Sequence, residues 1–343
     1  MLEHGGRLKQ ASEQYGIPLE NWIDLSTGIN PNSCPVPVVP SSVWHRLPES
    51  DGKLHIAAAH YYGSQLLLPV AGTQAALKSL PLLRELGQAA MLHPSYNEHC
   101  HAWKLAGHEV RLIPSESYQS AQSEIEKHID RLDVLLVCNP NNPTGITFPI
   151  SDLERWRENL ARRGGWLIVD EAFMDVSPQF SLVSSVGSAG LIVLRSLGKF
   201  FGLAGARVGF VFACKEVLDA LSEQLGPWTI SGPARFVATA ALEDITWQRQ
   251  ARADLIARSE RLGQLLLSAR IQTTGATTFF HWMESPSAFS LHKFLARQGI
   301  LTRFFSDPSS LRFGLPGAES EWRQLEAASH GWLDYLTAAR TTL

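Results

Sequence analysis

Five short runs of almost entirely apolar residues constrain the fold of this chain more than any other feature. They occupy residues 89–92, 134–138, 166–169, 191–194 and 208–213. Each run has the length of a β-strand, and helical patterns such as residues 150–162 separate most of them. Continuous apolarity, rather than alternation, is typical of strands that are covered on both faces. The sequence therefore predicts an α/β fold with a mostly parallel central sheet flanked by helices.

The chain outside these runs has patterns of a different kind. Residues 26–50 are rich in Pro, Ser and Gly, which predicts an ordered loop or an extended arm, because proline at this density prevents regular structure. Residues 51–62 have helical periodicity. Four further elements are predicted towards the C-terminus: a long helix over 244–268, a strand over 277–283, a helix over 287–298 and a closing helix over 319–337.

The change of pattern near residue 243 predicts a chain of two domains. Its 343 residues are enough for one large domain and a smaller one. We expect a large domain over residues 46–243, which contains the apolar runs, and a small α+β domain over residues 244–343. Composition indicates that an N-terminal arm, residues 1–45, packs with the small domain.

Composition and charge exclude several classes of protein. The net charge of -3, without a basic block, gives binding to nucleic acid or to an anionic membrane no electrostatic support. No apolar stretch is long enough to cross a bilayer, and residues 1–6 lack the charged and apolar regions of a signal peptide. The four cysteines have no metal-ligand spacing, which favours reduced thiols. We therefore expect a soluble, cytoplasmic protein without a bound metal.

Lys199 is the first candidate for chemistry. It follows the apolar run at 191–194 and precedes Arg207 by eight residues. Because ligands of parallel sheets bind beyond the carboxyl ends of the strands, an amine at this point is expected to reach a pocket. A lysine can hold an aldehyde cofactor as a Schiff base. A solvated loop lysine is the alternative, but other segments of the chain indicate the same cofactor.

A second group of residues suits a phosphate. Gly72 and Thr73 open a predicted helix after an apolar segment, and free N–H groups at such a start can bind an anion. Thr73 as an ordinary helix N-cap is the alternative. Arg207 is suited to bidentate contact with a phosphate, and Ser196 could donate to the same group. Taken alone, Arg207 would more often form a surface ion pair.

Three further side chains suit contacts with a flat heteroaromatic ring. Residues 139–145 form a rigid turn with two prolines, which can hold the amide of Asn142 at a fixed geometry. Asp170 ends a buried strand, so its carboxylate needs a partner such as a protonated pyridine nitrogen. Tyr96 follows the run at 89–92 and could stack on the ring. The alternatives are a plain surface turn, a helix N-cap and core packing, respectively.

The order of these motifs (Gly-Thr, aromatic, Asn-Pro-Thr-Gly, Asp, Ser-x-x-Lys and Arg) resembles the aspartate aminotransferase superfamily of pyridoxal-phosphate enzymes, fold type I, over roughly residues 24–315. The resemblance implies that pyridoxal 5'-phosphate is the cofactor. It implies that Lys199 is the catalytic Schiff-base lysine and that Asp170 is the partner of the pyridine nitrogen. The other implied cofactor contacts are Asn142 to the ring hydroxyl, Tyr96 stacked on the ring, and Gly72, Thr73, Ser196 and Arg207 to the phosphate.

Two positions depart from the usual pattern of the superfamily. Phe173 stands where a tyrosine usually lies three residues after the aspartate, which removes one hydrogen-bond donor to the ring hydroxyl. Arg46-Leu47-Pro48 stands where relatives commonly have Arg-Tyr-Pro, whose tyrosine reaches the cofactor phosphate of a neighbouring subunit. The resemblance still implies a homodimer, and it leaves that contact open at Leu47.

Within the superfamily, the chain is similar to the threonine-phosphate decarboxylases of cobalamin biosynthesis, with the histidinol-phosphate aminotransferases as close relatives. The segments that carry this similarity are His4-Gly5-Gly6, residues 24–31, residues 194–201 and residues 227–231. Two arginines nine residues apart suit a substrate with two anionic groups. The similarity implies the following substrate site: Arg312 at the carboxylate, Arg303 and His4 at the phosphate, with Gly5 and Gly28 in the same site.

We therefore expect a carbon–carbon lyase that converts L-threonine O-3-phosphate to (R)-1-amino-2-propanol O-2-phosphate. Transamination of a phosphorylated amino acid such as histidinol phosphate, with 2-oxoglutarate, is the alternative, because the two families share every cofactor motif. A non-catalytic, cofactor-binding regulator is a further alternative. Such regulators usually carry an additional DNA-binding domain, and this chain has no basic patch.

Overall fold

The computed structural model describes residues 4–49 and 52–341. Two compact units make up the chain. The larger unit comprises Ser33–Asn142 and Ile146–Arg252. The smaller unit comprises the residues up to Asn32, Pro143–Gly145 and the chain from Ala253 onward. Each unit has a sheet of its own, and each is described below by itself.

The strands and helices follow one another in the order of an α/β chain. The strands are β1 (Ile23–Leu25), β2 (Leu67–Val70), β3 (Gln88–His93), β4 (Glu109–Pro114), β5 (Val134–Cys138), β6 (Trp166–Asp170), β7 (Leu191–Ser196), β8 (Gly209–Phe212), β9 (Gly275–Thr277), β10 (Phe280–Glu284), β11 (Ile300–Ser306) and β12 (Ser309–Gly314). The helices are α1 (Leu8–Tyr15), α2 (Ser41–His45), α3 (Lys53–Tyr62), α4 (Thr73–Ser79), α5 (Asn97–Leu105), α6 (Tyr118–His128), α7 (Ile150–Ala161), α8 (Lys215–Leu225), α9 (Gly232–Glu243), α10 (Ile245–Ser268), α11 (Ala288–Ala296) and α12 (Glu319–Thr341).

The larger unit contains the sheet that the apolar runs predict. Among the described residues, the strand order of this sheet is β2-β8-β7-β6-β5-β3-β4. The neighbouring strands β4, β3, β5, β6 and β7 pair in parallel. Strand β8 pairs antiparallel with both β7 and β2. The reason is its connection: the chain between Ser196 and Gly209 contains only a short 3-10 turn, whereas a parallel neighbour needs a crossover, usually a helix. The mostly parallel sheet is confirmed, with β8 and β2 as its antiparallel part.

Burial on both faces explains why the interior strands were recognisable. All residues of β5 are buried, and so are those of β8. Side chains such as Leu136, Ile168 and Ile192 are at most 1% exposed in the main apolar core of this unit, and each contributes about 1.5–3 kcal/mol by leaving water. Strand β4 was missed because it lies at the edge of the sheet. Its exposed Glu109 and Arg111 break the apolar run.

The helix predictions are confirmed with small changes at the ends, since α3, α7, α10, α11 and α12 lie where periodicity placed them. Residues 26–49 are mostly irregular, as expected, but α2 forms a short helix within them. Helix α4 ends before Pro81, and the chain continues as a 3-10 turn. Among the described residues, we find no helix with the length and apolarity that a membrane crossing requires.

The smaller unit is built on a sheet of order β1-β11-β12-β10-β9. Strand β1, from the N-terminal part of the chain, pairs in parallel with β11 through Ile23 and Ile300. The single strand predicted over 277–283 is wrong: β9 and β10 are two antiparallel strands joined by a tight turn. The turn consists of Thr278 and Phe279, so no glycine, proline, asparagine or aspartate marks it in the sequence. Strands β11 and β12 form a hairpin.

Candidate active site

One cavity in the larger unit gathers all of the predicted cofactor residues. It lies at the carboxyl ends of β5, β6 and β7 and has a volume of about 110 Å³. The residues that line it are Gly72, Thr73, Gln74, Tyr96, Cys138, Asn142, Asp170, Ala172, Phe173, Ser196, Gly198, Lys199, Ala204 and Arg207. In sequence these residues are spread over more than a hundred positions. The parallel sheet brings them together because its strands end at the same edge.

Arg207 and Gly72 define one end of the cavity. A Cβ on Gly72 would lie 2.7 Å from Nη2 of Arg207. A side chain at position 72 would therefore displace the guanidinium, and glycine leaves room for it. Gly72 has a φ of 72°, and Arg207 has a φ of 54°, which is uncommon for a residue with a side chain. The Arg207 Nη1 group donates to the carbonyl of Ala204 over 3.2 Å. The guanidinium is therefore held beside the start of α4.

Two hydroxyl-bearing residues complete the same end of the cavity. Ser196 lies at the end of β7, where its Oγ accepts a hydrogen bond from the N–H of Gly198 over 3.2 Å. Thr73 is the first residue of α4, and β8 approaches it so closely that a Cβ on Gly209 would lie 2.7 Å from the Thr73 nitrogen. A guanidinium, two hydroxyls and backbone N–H groups on one wall form a donor set suited to a phosphate.

A buried acid lies elsewhere on the cavity wall. Asp170 ends β6 with its side chain only 6% exposed, and His99 Nε2 lies 2.9 Å from its Oδ2 atom. A carboxylate can only accept, so Nε2 carries the proton of this hydrogen bond. The N–H of Ala172 donates to the other oxygen, Oδ1, over 3.1 Å. These contacts hold an ionised carboxylate at the cavity, where it can bind a cationic N–H group of a ligand.

Sequence reasoning missed His99, although its spacing carried a usable pattern. Tyr96 and His99 lie three residues apart at the start of α5, and residues with this spacing share one side of a helix. Their rings contact each other edge to face, with centroids 5.3 Å apart. A tyrosine expected at the cavity therefore implies a histidine nearby, but only the fold shows that this histidine reaches Asp170.

Lys199 occupies the loop that follows β7. Its neighbours Leu197, Phe200 and Phe201 are fully buried, and the N–H of Leu197 donates to the carbonyl of Val208 over 3.1 Å. These contacts anchor the loop on both sides of the lysine. The Lys199 Nζ atom lies 5.6 Å from the centroid of the Phe173 ring, which is also part of the cavity wall.

Amide side chains fix the turn that carries Asn142. Asn139 Oδ1 accepts from the N–H of Phe148 over 2.9 Å, and Asn139 Nδ2 donates to the Phe148 carbonyl. Asn141 Oδ1 accepts from Ser95 Oγ over 2.8 Å, and its Nδ2 donates to the Pro94 carbonyl. Both asparagines are buried. The turn is thus tied to its surroundings on both sides of Pro140, and Asn142 is left on the cavity wall.

A buried ion-pair cluster ties the ends of β6 and β7 together. Glu171 follows Asp170 and receives a hydrogen bond over 2.9 Å from Nη1 of Arg195, the residue before Ser196. The Nη2 group of Arg195 contacts Asp175 over 2.8 Å. All three side chains are at most 2% exposed. Breaking such a buried network is costly, so the two strand ends keep their relative position.

Tyr96 is held by polar partners as well as by packing. Its hydroxyl donates to Gln74 Oε1 over 3.2 Å, and Gln74 Nε2 donates to Glu98 Oε2 over 2.6 Å. Burial raises the pKa of Tyr96 to about 12, with Glu98 and Asp170 adding to the rise. Tyr96 is therefore a neutral phenol at physiological pH. Sequence reasoning singled out neither Gln74 nor Glu98.

The predicted substrate residues all lie in the smaller unit. Arg312 of β12 is buried, and its Nη2 group donates to the carbonyl of Ser26 over 2.8 Å. The loop around Ser26 also contacts the start of the chain, because Gly6 N–H donates to Ser26 Oγ over 2.7 Å. A Cβ on Gly5 would lie 2.3 Å from the Ser26 carbonyl oxygen. Two more of this group, His4 and Gly28, are half-buried and buried, respectively.

Arg303 and Arg312 are directly opposite each other across the β11–β12 hairpin. Residues in this position have their side chains on the same face of the sheet, and like charges there repel. The Arg303 guanidinium lies 5.1 Å from the ring centroid of Phe305, and that of Arg312 lies 4.9 Å from the ring centroid of Phe280. Two neighbouring guanidinium groups on one face are suited to an anionic ligand.

Comparisons with known proteins give relatives that cover nearly the whole chain. Residues 21–325 match the family model of aminotransferase class I and II. A threonine-phosphate decarboxylase from Pseudomonas aeruginosa is 52% identical over 332 residues, which are 97% of this chain and 98% of that protein. A threonine-phosphate decarboxylase from Sinorhizobium sp is 38% identical over 334 residues, 95% of this chain and 97% of that protein.

A solved structure shows the same fold. The histidinol-phosphate aminotransferase from Sinorhizobium meliloti, in complex with pyridoxal-5'-phosphate, superposes with a TM-score of 0.78 over 98% of this chain and 99% of that chain. The sequence identity is 17%, so this likeness bears on the fold alone.

Proposed function

The chain belongs to the aminotransferase class I and II family, and on that premise we propose that it is a pyridoxal-phosphate-dependent decarboxylase of L-threonine O-3-phosphate. The product is (R)-1-amino-2-propanol O-2-phosphate, an intermediate of cobalamin biosynthesis. The observation that carries the proposal is the 52% identity, over nearly the whole chain, to a protein named threonine-phosphate decarboxylase. The cavity of the larger unit supplies the chemistry that this reaction needs.

The residues of the cavity fit the cofactor. Gly72, Thr73, Ser196 and Arg207 form the donor set for its phosphate. Asp170 offers a buried carboxylate for its pyridine nitrogen, and Asn142 offers an amide for its ring oxygen. When bound, pyridoxal phosphate supplies an electron-poor ring that accepts the electron pair released as carbon dioxide leaves the α-carbon.

Asp170 and His99 have an electrostatic role. The carboxylate holds a proton on the ring nitrogen, because a buried anion strongly favours a cationic partner. His99 in turn donates to the carboxylate and fixes its orientation. The pair therefore keeps a positive charge in the ring, which is what makes the ring an electron acceptor.

Lys199 is the catalytic residue of this proposal. Its Nζ atom is the group that would hold the cofactor, through the aldehyde of the cofactor. Once the substrate is bound, the Lys199 amine would take up the proton that the ammonium group of the substrate gives up, and would deliver it to the α-carbon in place of the carbon dioxide that has left. Phe173, whose ring is near Nζ, covers this part of the cavity with an apolar surface.

The substrate anchors lie in the smaller unit. We assign the carboxylate of the substrate to Arg312 and its phosphate to Arg303 and His4, with Gly5 and Gly28 shaping the loop around them. The opposed arginines support this assignment, since their mutual repulsion is relieved when a doubly anionic substrate binds. In this proposal Arg312 would hold the carboxylate of the substrate, which is the group that decarboxylation releases.

The proposal includes a homodimer. Several apolar side chains of the larger unit are exposed, and exposed apolar groups of this kind mark interaction surfaces. They are Val36, Val38, Trp44, Leu47, Trp228 and Phe236, between 36% and 93% exposed. A cleft of about 670 Å³ runs between the segment of Leu47 and helix α9. Light scattering should give twice the mass of the chain. Trp44→Glu should lower this mass towards that of a monomer. Leu105→Glu, at an exposed leucine elsewhere in this unit, should leave it unchanged.

We also propose a cytoplasmic location. All four cysteines lie in the described part of the chain, and no disulfide joins them there, as expected for a reducing compartment. Fractionation of cells that produce the protein tests this location, and recovery in a periplasmic extract would contradict it.

The decisive test of the reaction uses purified holoenzyme and L-threonine O-3-phosphate. We expect release of carbon dioxide and formation of the amino-propanol phosphate without any added oxo acid. Lys199→Ala should abolish both turnover and the covalent cofactor adduct that borohydride leaves on the wild-type protein. Lys215→Ala, at an exposed lysine of α8, should retain both. Turnover that depends on 2-oxoglutarate and releases no carbon dioxide would establish transamination instead.

A further inference from the structure

Gln74 and Glu98 form a hydrogen-bonded chain that ends on Tyr96. Glu98 Oε2 lies 2.6 Å from Gln74 Nε2, and Gln74 Oε1 lies 3.2 Å from the Tyr96 hydroxyl. All three side chains are partly buried. The chain of contacts joins the first turn of α4 to the first turn of α5, and both Gln74 and Tyr96 line the cofactor cavity.

The direction of these hydrogen bonds follows from the carboxylate. An ionised Glu98 can only accept, so Gln74 must present its amide nitrogen to it. The amide oxygen then necessarily faces Tyr96, and an oxygen of this kind can only accept. The phenol must therefore donate its proton to Gln74. Without Glu98, the amide could turn over and the tyrosine could accept instead.

The same turn of α5 also reaches the buried acid. Tyr96, Glu98 and His99 are within four residues: Tyr96 and Glu98 both contact Gln74 on α4, and His99 contacts Asp170 at the end of β6. Because His99 and Tyr96 contact edge to face, a shift of the tyrosine ring would also disturb the partner of Asp170. The orientation of this ring thus matters for two cofactor contacts.

We propose that Gln74 and Glu98 are positioning residues that hold the ring of Tyr96 against the cofactor and commit its hydroxyl proton to Gln74. Tyr96 then acts as a flat apolar surface and is removed as a proton donor to the substrate, which leaves Lys199 as the amine that returns the proton. The inference rests on the proposed function, because it takes Tyr96 to be the stacking residue. The raised pKa of Tyr96 agrees with a phenol that keeps its proton.

The chain offers a matched control for this proposal. Gln88 Nε2 donates to Glu109 Oε2 in another glutamine–glutamate pair. These residues begin β3 and β4, at the opposite end of the strands from the cavity. Replacement of either glutamine by leucine removes a hydrogen bond to a glutamate, but only Gln74→Leu removes the acceptor of Tyr96.

The experiment compares Gln74→Leu, Tyr96→Phe, the double variant and Gln88→Leu. Three quantities are measured: the affinity of the apoprotein for pyridoxal phosphate, the visible circular dichroism of the bound cofactor, and kcat/KM. We expect Gln74→Leu and Tyr96→Phe each to lower kcat/KM by about three- to tenfold, the effect of one lost hydrogen bond, and to change the visible circular dichroism. The kcat/KM of the double variant should equal that of the less active single variant, because both substitutions remove the same hydrogen bond between Tyr96 and Gln74.

Glu98→Gln tests whether the direction of these hydrogen bonds matters, and not only their presence. The new amide can both donate and accept, so the Gln74 amide is free to turn over, and we expect an intermediate loss with a changed visible circular dichroism. Effects of Gln74→Leu and Tyr96→Phe that multiply in the double variant, or an unchanged spectrum in Gln74→Leu, would overturn the proposal. Failure of the proposed function would look different: the wild-type protein would then bind no pyridoxal phosphate or release no carbon dioxide.

Discussion

His99 and Asp170 form a buried pair at the cofactor cavity, with 2.9 Å between Nε2 and Oδ2 and side chains only 1% and 6% exposed. The pair explains how an ionised carboxylate can be kept in the interior before any ligand arrives. Burial of an unpaired charge is costly, and the hydrogen bonds from His99 and from the Ala172 N–H offset that cost. The cavity is therefore prepared for a cation on the side that faces Asp170.

The first prediction concerns this pair. His99→Ala should lower kcat by about ten- to a hundredfold, because it removes a hydrogen bond to a charged group. Asp170→Ala should be more severe, since it removes the charge itself. His99→Gln retains an N–H donor and should recover part of the loss. Steady-state kinetics and the visible spectrum of each holoprotein provide the measurement; wild-type kcat in His99→Ala would show that the histidine has no role in the reaction.

Gly72→Ala should weaken cofactor binding. The added Cβ would lie 2.7 Å from Nη2 of Arg207 and would push the guanidinium from its place. Gly63→Ala is the matched control, because Gly63 also has a positive φ but has open space around its Cβ position. Gly63→Ala should lose about 1 kcal/mol of stability from its left-handed backbone, and Gly72→Ala should lose more, because its ψ of 155° lies in a region essentially confined to glycine. Only Gly72→Ala should raise the Kd for pyridoxal phosphate, by about tenfold or more. Equal affinities in the two variants would contradict the assignment of Arg207 to the phosphate.

Phe173→Tyr should change the proton affinity of the bound cofactor. Phe173 lies on the cavity wall near Lys199 Nζ. A tyrosine hydroxyl at this position can donate to the ring oxygen of the cofactor, whereas phenylalanine has no donor. Stabilisation of that negative oxygen should lower the pKa of the lysine-bound cofactor by about one unit. A pH titration of the visible absorbance measures this value. Phe180→Tyr, at an exposed ring, should leave it unchanged.

Arg303→Gln should weaken substrate binding with little change in stability. It removes one of two like charges that face each other across β11 and β12, but also the contact of the guanidinium with the Phe305 ring, so the stability of the ligand-free protein should change by less than about 1 kcal/mol. The same change should raise KM for L-threonine O-3-phosphate by about tenfold or more, because a charge-assisted contact to the phosphate is lost. Arg297→Gln, outside the hairpin, is the control. An unchanged KM would remove Arg303 from the substrate site.

His281 should make the smaller unit sensitive to acid. Burial lowers the pKa of His281 below its ordinary value of 6.5, although its hydrogen bond to the Ser259 carbonyl acts in the opposite direction. The unfolded chain therefore takes up the proton first as the pH falls. The contribution of neutral His281 to stability is present above about pH 6.5 and is lost as the pH falls through the lower pKa of the folded state. Between pH 7 and pH 5, the urea midpoint should fall further in the wild type than in His281→Gln, whereas His60→Gln, at an exposed histidine, should follow the wild type.

The interior strands were predictable because burial on both faces requires apolar side chains at successive positions of the sequence. The runs that became β5 and β6 are apolar at nearly every position, and so they stood out from their surroundings. Strand β4 left no such record, because its pairing with β3 depends on backbone hydrogen bonds while most of its side chains are exposed. The tight turn between β9 and β10 was missed because Thr278 and Phe279 are not residues that typically mark a turn.

Lys199, Asp170 and Arg207 could be named from local patterns, because Asp170 ends a buried apolar strand, Lys199 follows another, and Arg207 lies eight residues after Lys199. Their meeting in one cavity, and the partnership of His99 with Asp170, could not. Contacts between residues far apart in the chain depend on which strands become neighbours and in which register, and a local pattern carries no information about either. The opposed arginines are a further example: nine residues apart in the chain, they face each other only because β11 and β12 form a hairpin with that register.

Local composition was thus sufficient for the class of fold, for most elements and for the type of cofactor, because burial and backbone geometry act on neighbouring residues. The three-dimensional arrangement alone set the partner of Asp170 and the chain of hydrogen bonds from Glu98 to Tyr96. These features arise from packing between distant segments, where a hydrogen bond forms only if two backbones have already been brought within reach.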